Sequence, residues 1–203
     1  PNPVTILLDE PFSNLDASMR RRMRIEVESI LRANSIATVF VTHDREEAFA
    51  MADRIGVMNN GRLEQLDTPQ VIYNSPATPF VAQLGGMCDF IQGVIQDDLA
   101  KTEIGNLAYR TRTTSLEVGT EVDLLVHPDD FQIMPHPEGT SVVVSREFRG
   151  DETILVVRMP SGATLRCRER SFSVLDPGTN VTLIPGTSSA FLASPKFVTE
   201  PQE

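Results

Sequence analysis

Two adjacent carboxylates, Asp9 and Glu10, close an apolar run made of Val4 and Ile6 to Leu8. A histidine, His43, follows the end of a second such run, Ala37 to Val41. Acids are costly to bury without partners, so a hydrophobic strand ending in Asp-Glu points to a metal or catalytic site, or else to acids that cap the next helix. A lone histidine after a strand is ordinary loop chemistry, but two such strands joined by one helix (Ala17 to about Asn34) make a stronger pattern. The chemistry these groups suit is phosphoryl transfer: one carboxylate for a magnesium ion, one for an attacking water, an imidazole beside them. Rigid placement is required, so the first strand is expected to be buried on both faces.

The stretch Ile6 to Ala17 resembles the Walker B strand and D-loop of ABC transporter ATPases, and Val41 to Asp44 resembles their switch-histidine segment. The resemblance implies that Asp9 holds magnesium through water and that Glu10 is the general base. It implies that Ser13, Asn14 and Asp16 belong to a D-loop crossing to the partner subunit, and that His43 contacts the γ-phosphate and the water. ATP and Mg2+ are the implied cofactors of the complete protein. A homodimer of ATPase subunits and transmembrane permease subunits are the implied partners, at the cytoplasmic face of the bacterial inner membrane.

A phosphate-cradling loop needs Gly-x-x-x-x-Gly-Lys before Ser or Thr, and the two lysines here, Lys101 and Lys196, do not follow glycine. The family's signature motif is also missing; Gln83 to Gly86 resembles it superficially but reads as a helix stop and a joint. The chain is therefore expected to be the C-terminal part of an ABC ATPase and, by itself, not to hydrolyse ATP. A non-catalytic regulatory or assembly module is the competing reading.

With 203 residues there is room for one large domain or two small ones. A formal charge of −10 argues against nucleic acid or an anionic membrane as the main partner. No apolar stretch nears the ~20 residues that span a bilayer. Cys88 and Cys167 sit in apolar or alternating contexts and read as buried free thiols.

The first region has α/β texture. Met19, Met23, Val27, Ile30 and Leu31 form a core-facing helical stripe, with the arginines of the run Arg20 to Arg24 mostly on the opposite face, read as a solvated face or as a phosphate-binding one. Arg45 to Ala52 reads as a short helix, and Asn59-Asn60-Gly61-Arg62 as a hairpin turn between apolar segments. Two short helices, Pro69 to Tyr73 and Pro79 to Leu84, follow. In the family, the strand that would flank Ala37 to Val41 carries the absent phosphate loop. Residues 1–84 are thus expected to be unstable alone or protected by dimerisation.

From Met87 onward, short strands alternate with Gly- and Pro-rich turns, the spacing of a small all-β barrel. Alternation in Ala163 to Arg168 turns Leu165 and Cys167 inward and Arg166 and Arg168 outward, while Ile154 to Val157 is apolar on both faces. Val126 to Phe131, Glu147 to Glu152 and Met159 to Leu165 resemble the TOBE regulatory domain of importer ATPases. The Phe148-Arg149-Gly150 and Arg166-Cys167-Arg168 segments are most similar to ferric-ion importers, with polyamine and sugar importers sharing the architecture. Arg146, Arg149, Arg166, Arg168 and Arg170 read as an anion site or as solvent-facing arginines, and His127 and His136 as surface residues. The expected fold is an α/β partial P-loop ABC ATPase domain (1–84) followed by an all-β OB-like (TOBE) barrel (85–203).

Overall fold

The computed structural model describes residues 4–111, 116–170, 175–186 and 190–193. It divides into two compact units, Pro1–Ile72 and Tyr73–Glu203.

The first unit opens with strand β1 (Thr5–Asp9), helix α1 (Ala17–Ala33) and strand β2 (Ala37–Val41). The strands pair in parallel, from Thr5 opposite Ala37 to Asp9 opposite Val41. A parallel pair needs a crossover, and α1 supplies it. Asp16 starts the helix, its Oδ1 accepting from the backbone N–H of Ser18 and of Met19, each at 2.9 Å. Helix α2 (Arg45–Met51) follows, capped by Asp44. Strands β3 (Ile55–Asn59) and β4 (Arg62–Asp67) then form a hairpin whose turn places Asn60 at φ 47° and Gly61 at φ 76°. Asn-Gly tolerates these left-handed angles, so this turn forms where expected.

Three expectations fail here. Strand β1 is not buried on both faces: Ile6 and Leu8 are half-buried, but Leu7 is 77% exposed. Strand β2 repeats the pattern, with Val39 and Val41 exposed. Among the described residues these two strands form a two-stranded sheet, and such alternation belongs to a sheet covered on one face only. The stripe on α1 is also narrower than expected. Met23, Val27 and Leu31 are half-buried, whereas Met19 and Ile30 are exposed. Finally, Arg20 and Arg24 are not on a solvated face, because both turn towards the acids of α2.

Helices α3 (Pro69–Asn74) and α4 (Pro79–Gly85) lead into the second unit. Helix α4, expected to close the first domain, goes with the second unit. Its Ala82 is buried against Cys88 and Leu125, with half-buried Phe90 packed on that group. Packing thus divides the chain ahead of the Gly85-Gly86 joint, not at it.

The remaining strands are β5 (Asp89–Gln96), β6 (Leu99–Thr102), β7 (Gly105–Arg110), β8 (Glu121–Val126) and β9 (Phe131–Pro135). Strands β10 (Ser141–Phe148), β11 (Glu152–Arg158), β12 (Thr164–Arg170), β13 (Asn180–Pro185) and β14 (Ala190–Ala193) complete the set. They include the all-β barrel expected of this region, together with a second sheet. Strands β14-β7-β6-β5-β8 close a barrel, and β12-β11-β10-β13-β9 make a five-stranded sheet. One core joins them: Ile91, Ile95 and Leu124 pack with Leu155, Leu165 and Cys167. Leu165 and Cys167 point inward as their alternation requires, and Ile154 and Leu155 are both buried.

Four of the five arginines read as an anion site or as solvent-facing are held by carboxylates of the fold. Arg166 forks onto Asp89, with Nη2 2.7 Å and Nε 3.1 Å from Oδ1. Arg168 bridges Asp129 and Glu152, Arg149 bridges Glu147 and Glu152, and Arg146 meets Asp176. Their charge is spent within the fold. His127 is likewise not a surface residue: its ring stacks on Tyr73 with centroids 4.2 Å apart.

Candidate functional site

The ends of β1 and β2 position the candidate residues. Parallel pairing in register makes the chain leave both strands at the same end, and the Glu10 N–H donates to the Val41 carbonyl at 2.8 Å. Glu10 then turns into the left-handed region, at φ 44°. Such a conformation is costly for a residue with a Cβ, and it recurs where function demands a particular side-chain direction. The turn is tied down by Ser13, whose N–H and hydroxyl both donate to the Glu10 carbonyl, at 3.3 and 3.1 Å.

Glu10 and His43 meet. Glu10 Oε1 lies 3.2 Å from His43 Nδ1, with both side chains largely open to solvent. Around them a cleft is lined by Ser13, Arg20, Thr42, Asp44 and Glu47. Of the six residues singled out from sequence, Glu10, Ser13 and His43 share this cleft. Asp9 ends β1 as an exposed carboxylate and Asn14 is exposed on the following turn; neither lines the cleft. Asp16 is engaged as the α1 cap, and the N–H of Met19 is the main cause holding its carboxyl below the usual carboxylate range.

The residues flanking His43 were not assigned from sequence, yet they fix its loop. The Thr42 hydroxyl donates to Glu47 Oε2 at 2.6 Å and accepts from the Asp44 N–H at 2.9 Å. Asp44 Oδ1 caps α2, accepting from the N–H of Glu46 at 2.8 Å and of Glu47 at 3.3 Å. Glu47 is buried, at 2% exposure. Asp44-x-x-Glu47 has the spacing of a capping box, and that signal could have marked the loop as a constrained one. Arg20 crosses from α1, its Nη1 donating to Asp44 Oδ2 at 3.1 Å and its Nη2 to the Leu15 carbonyl at 3.0 Å.

An accessible carboxylate beside an imidazole can orient a water molecule and take its proton. For magnesium, the donors offered are hard oxygens: Asp9, Glu10 and the Ser13 hydroxyl. Among the described residues no group of three or more His, Cys, Asp or Glu could hold a metal. No helix among the described residues is long and apolar enough to cross a membrane.

Comparison with known proteins adds the following. The family model of the TOBE domain matches residues 124–192. The spermidine/putrescine import ATP-binding protein PotA of Aster yellows witches'-broom phytoplasma is 39% identical over 150 residues, covering 73% of this chain and 36% of that protein. The sulfate/thiosulfate import ATP-binding protein CysA of Xanthomonas campestris pv. campestris is 36% identical over 188 residues, covering 93% of this chain and 49% of that protein. The chain thus spans between about a third and a half of the length of these relatives. Among solved structures, the cytoplasmic molybdate-binding protein ModG has a TM-score of 0.43 and 16% identity, covering 53% of this chain and 96% of that one. This chain is homologous to the ATP-binding subunits of ABC importers and carries a TOBE domain in its C-terminal part.

Proposed function

We propose that this chain belongs to the ATP-hydrolysing subunit of a bacterial ABC importer. The observation that supports this most directly is the meeting of Glu10 and His43, 3.2 Å apart, where adjacent parallel strands end in an open cleft. In this reading the first unit handles nucleotide within a P-loop fold, and the second unit carries the regulatory and dimerisation barrel. Asp9 would help to hold Mg2+, which when bound would neutralise charge at the phosphates. Glu10 accepts a proton from the attacking water, and His43 keeps that carboxylate oriented. Ser13, Asn14 and Asp16 form the segment that reaches a second copy of the subunit. Both copies sit on permease subunits at the cytoplasmic membrane face.

The test is Glu10→Gln in the intact subunit, which carries the phosphate-binding segment. Loss of a general base costs about 10²–10⁴-fold in turnover and leaves nucleotide binding in place. Retention of substantial hydrolysis removes Glu10 from the base role.

For the transported solute, the relatives named above favour polyamine or sulfate; neither is a ferric-ion importer. Iron(III) rests only on the Phe148–Gly150 and Arg166–Arg168 segments. Polyamine is the reading we adopt. Uptake of labelled spermidine, sulfate and ferric ion, in cells with and without the subunit, decides among the three.

A further inference from the structure

The loop holding His43 is anchored by a side chain that belongs to neither strand end. Arg20 lies one turn into α1, and its guanidinium reaches in three directions. Nη1 donates to Asp44 Oδ2 at 3.1 Å, immediately after His43 in the chain. Nη2 donates to the Leu15 carbonyl at 3.0 Å, in the turn that begins at Glu10. Nε lies 3.9 Å from Glu47 Oε1, and this nitrogen is buried with no hydrogen-bond partner. Glu47 in turn holds Thr42, immediately before His43. Both neighbours of His43 are thus tied, directly or through one residue, to Arg20.

We propose that Arg20 is a positioning residue that couples the turn from Glu10 to Asp16 to the histidine loop. The inference rests on the hydrolytic reading given above. A planar fork can serve two fixed acceptors at once, which an ammonium group cannot do in the same geometry. His43 itself is exposed and meets only Glu10 among the described contacts, so its position follows its flanking residues. A shift of the Leu15 turn moves the guanidinium, and with it Asp44 and the loop. Orienting groups of this kind act on turnover and not on nucleotide affinity, because misplacement by about 1 Å costs up to ~100-fold in rate.

The experiment uses the intact subunit, with ATP as substrate. Arg20→Ala is expected to lower kcat about 10- to 100-fold with KM for ATP within about 2-fold of wild type. Exposed Arg21→Ala serves as the control and leaves kcat unchanged. The decisive readout is non-additivity: in a His43→Ala background, Arg20→Ala should cost less than about 2-fold more, because its effect passes through His43. If Arg20→Ala does not fold, Arg20→Lys carries the test, with the same split between kcat and KM. Additive losses, an unchanged kcat, or a loss confined to KM overturns the proposal. An active Glu10→Gln enzyme fails the hydrolytic reading instead, so the two failures are told apart.

Discussion

The Glu10 carboxylate and the His43 imidazole are 3.2 Å apart because Asp9 and Val41 stand opposite each other in a parallel ladder. The contact follows from register: a slip of one residue would turn one side chain to the other side of the sheet. It also depends on backbone strain, because Glu10 occupies φ 44°. Were that strain a by-product of folding, glycine would serve the site equally well.

This gives the first prediction. In the intact subunit, Glu10→Gly leaves stability unchanged or raises it by up to about 1 kcal/mol, since glycine adopts the left-handed region freely. Glu10→Val lowers it by about 1–2 kcal/mol, because a β-branched residue resists that conformation. Both variants lose hydrolysis. Urea unfolding followed by circular dichroism measures the stability terms, and equal destabilisation by the two substitutions would contradict the strain argument.

Asp16 starts α1 by accepting from Ser18 and Met19, and those bonds hold its carboxyl below the usual range. A lowered folded-state pKa means stability that is present above the ordinary carboxylate range and lost as pH falls through the lowered value. Asp16→Ala is therefore expected to melt at a lower temperature at neutral pH, and Asp16→Ser to recover most of the difference. In acid, the gap between wild type and Asp16→Ala should close. A gap that persists at low pH assigns the loss to something other than the cap.

How far these features were legible from sequence depends on the range of the interactions involved. The Asn60-Gly61 turn was readable because its cause is local. The strands from Asp89 onward were readable because alternation survives in sequence; Leu99–Thr102 and Ala190–Ala193, four residues each, were too short to show it. The exposure of Leu7 is not legible in sequence, since an apolar run states what can be covered and not what covers it. Residue type and strand ends single out Glu10 and His43, which the structure brings to within 3.2 Å of each other. Arg20 is not singled out in this way, because only the crossing of α1 over α2 brings it to Asp44. The same holds for Arg166 and Asp89, and for His127 under Tyr73, whose pairings join distant segments.

Cys167 is fully buried in the core of the second unit, and burial pushes its thiol up to about 12. A raised pKa means that stability is intact below the unfolded-state value near 9 and declines as pH rises towards 12. The decline attributable to this thiol should approach ~1.4 kcal/mol per pH unit in that window. It should vanish in Cys167→Ala, which is less stable at neutral pH through its cavity. Thiol labelling supplies the second check: Cys167 should react only after unfolding, and reaction in native protein at pH 8 would contradict its burial.

His127 is the counterpart on the acid side. Its side chain is 13% exposed, stacked on Tyr73, with Asp130 Oδ2 3.8 Å from its Nδ1. Burial lowers its pKa, against the opposing pull of Asp130 and Asp129. A histidine held below its ordinary value near 6.5 contributes stability present above that pH, which is lost as pH falls through the lowered value. The chain has three histidines, so proton NMR resolves three imidazole titrations. The resonance that disappears in His127→Phe should titrate below about 6.5. That variant keeps an aromatic ring against Tyr73 but has no proton to gain, so its loss of stability as pH falls below about 6.5 should be smaller than that of wild type. A His127 titration at or above 6.5 would mean that the charges of Asp129 and Asp130 outweigh burial, and that the Tyr73 stack withstands acid.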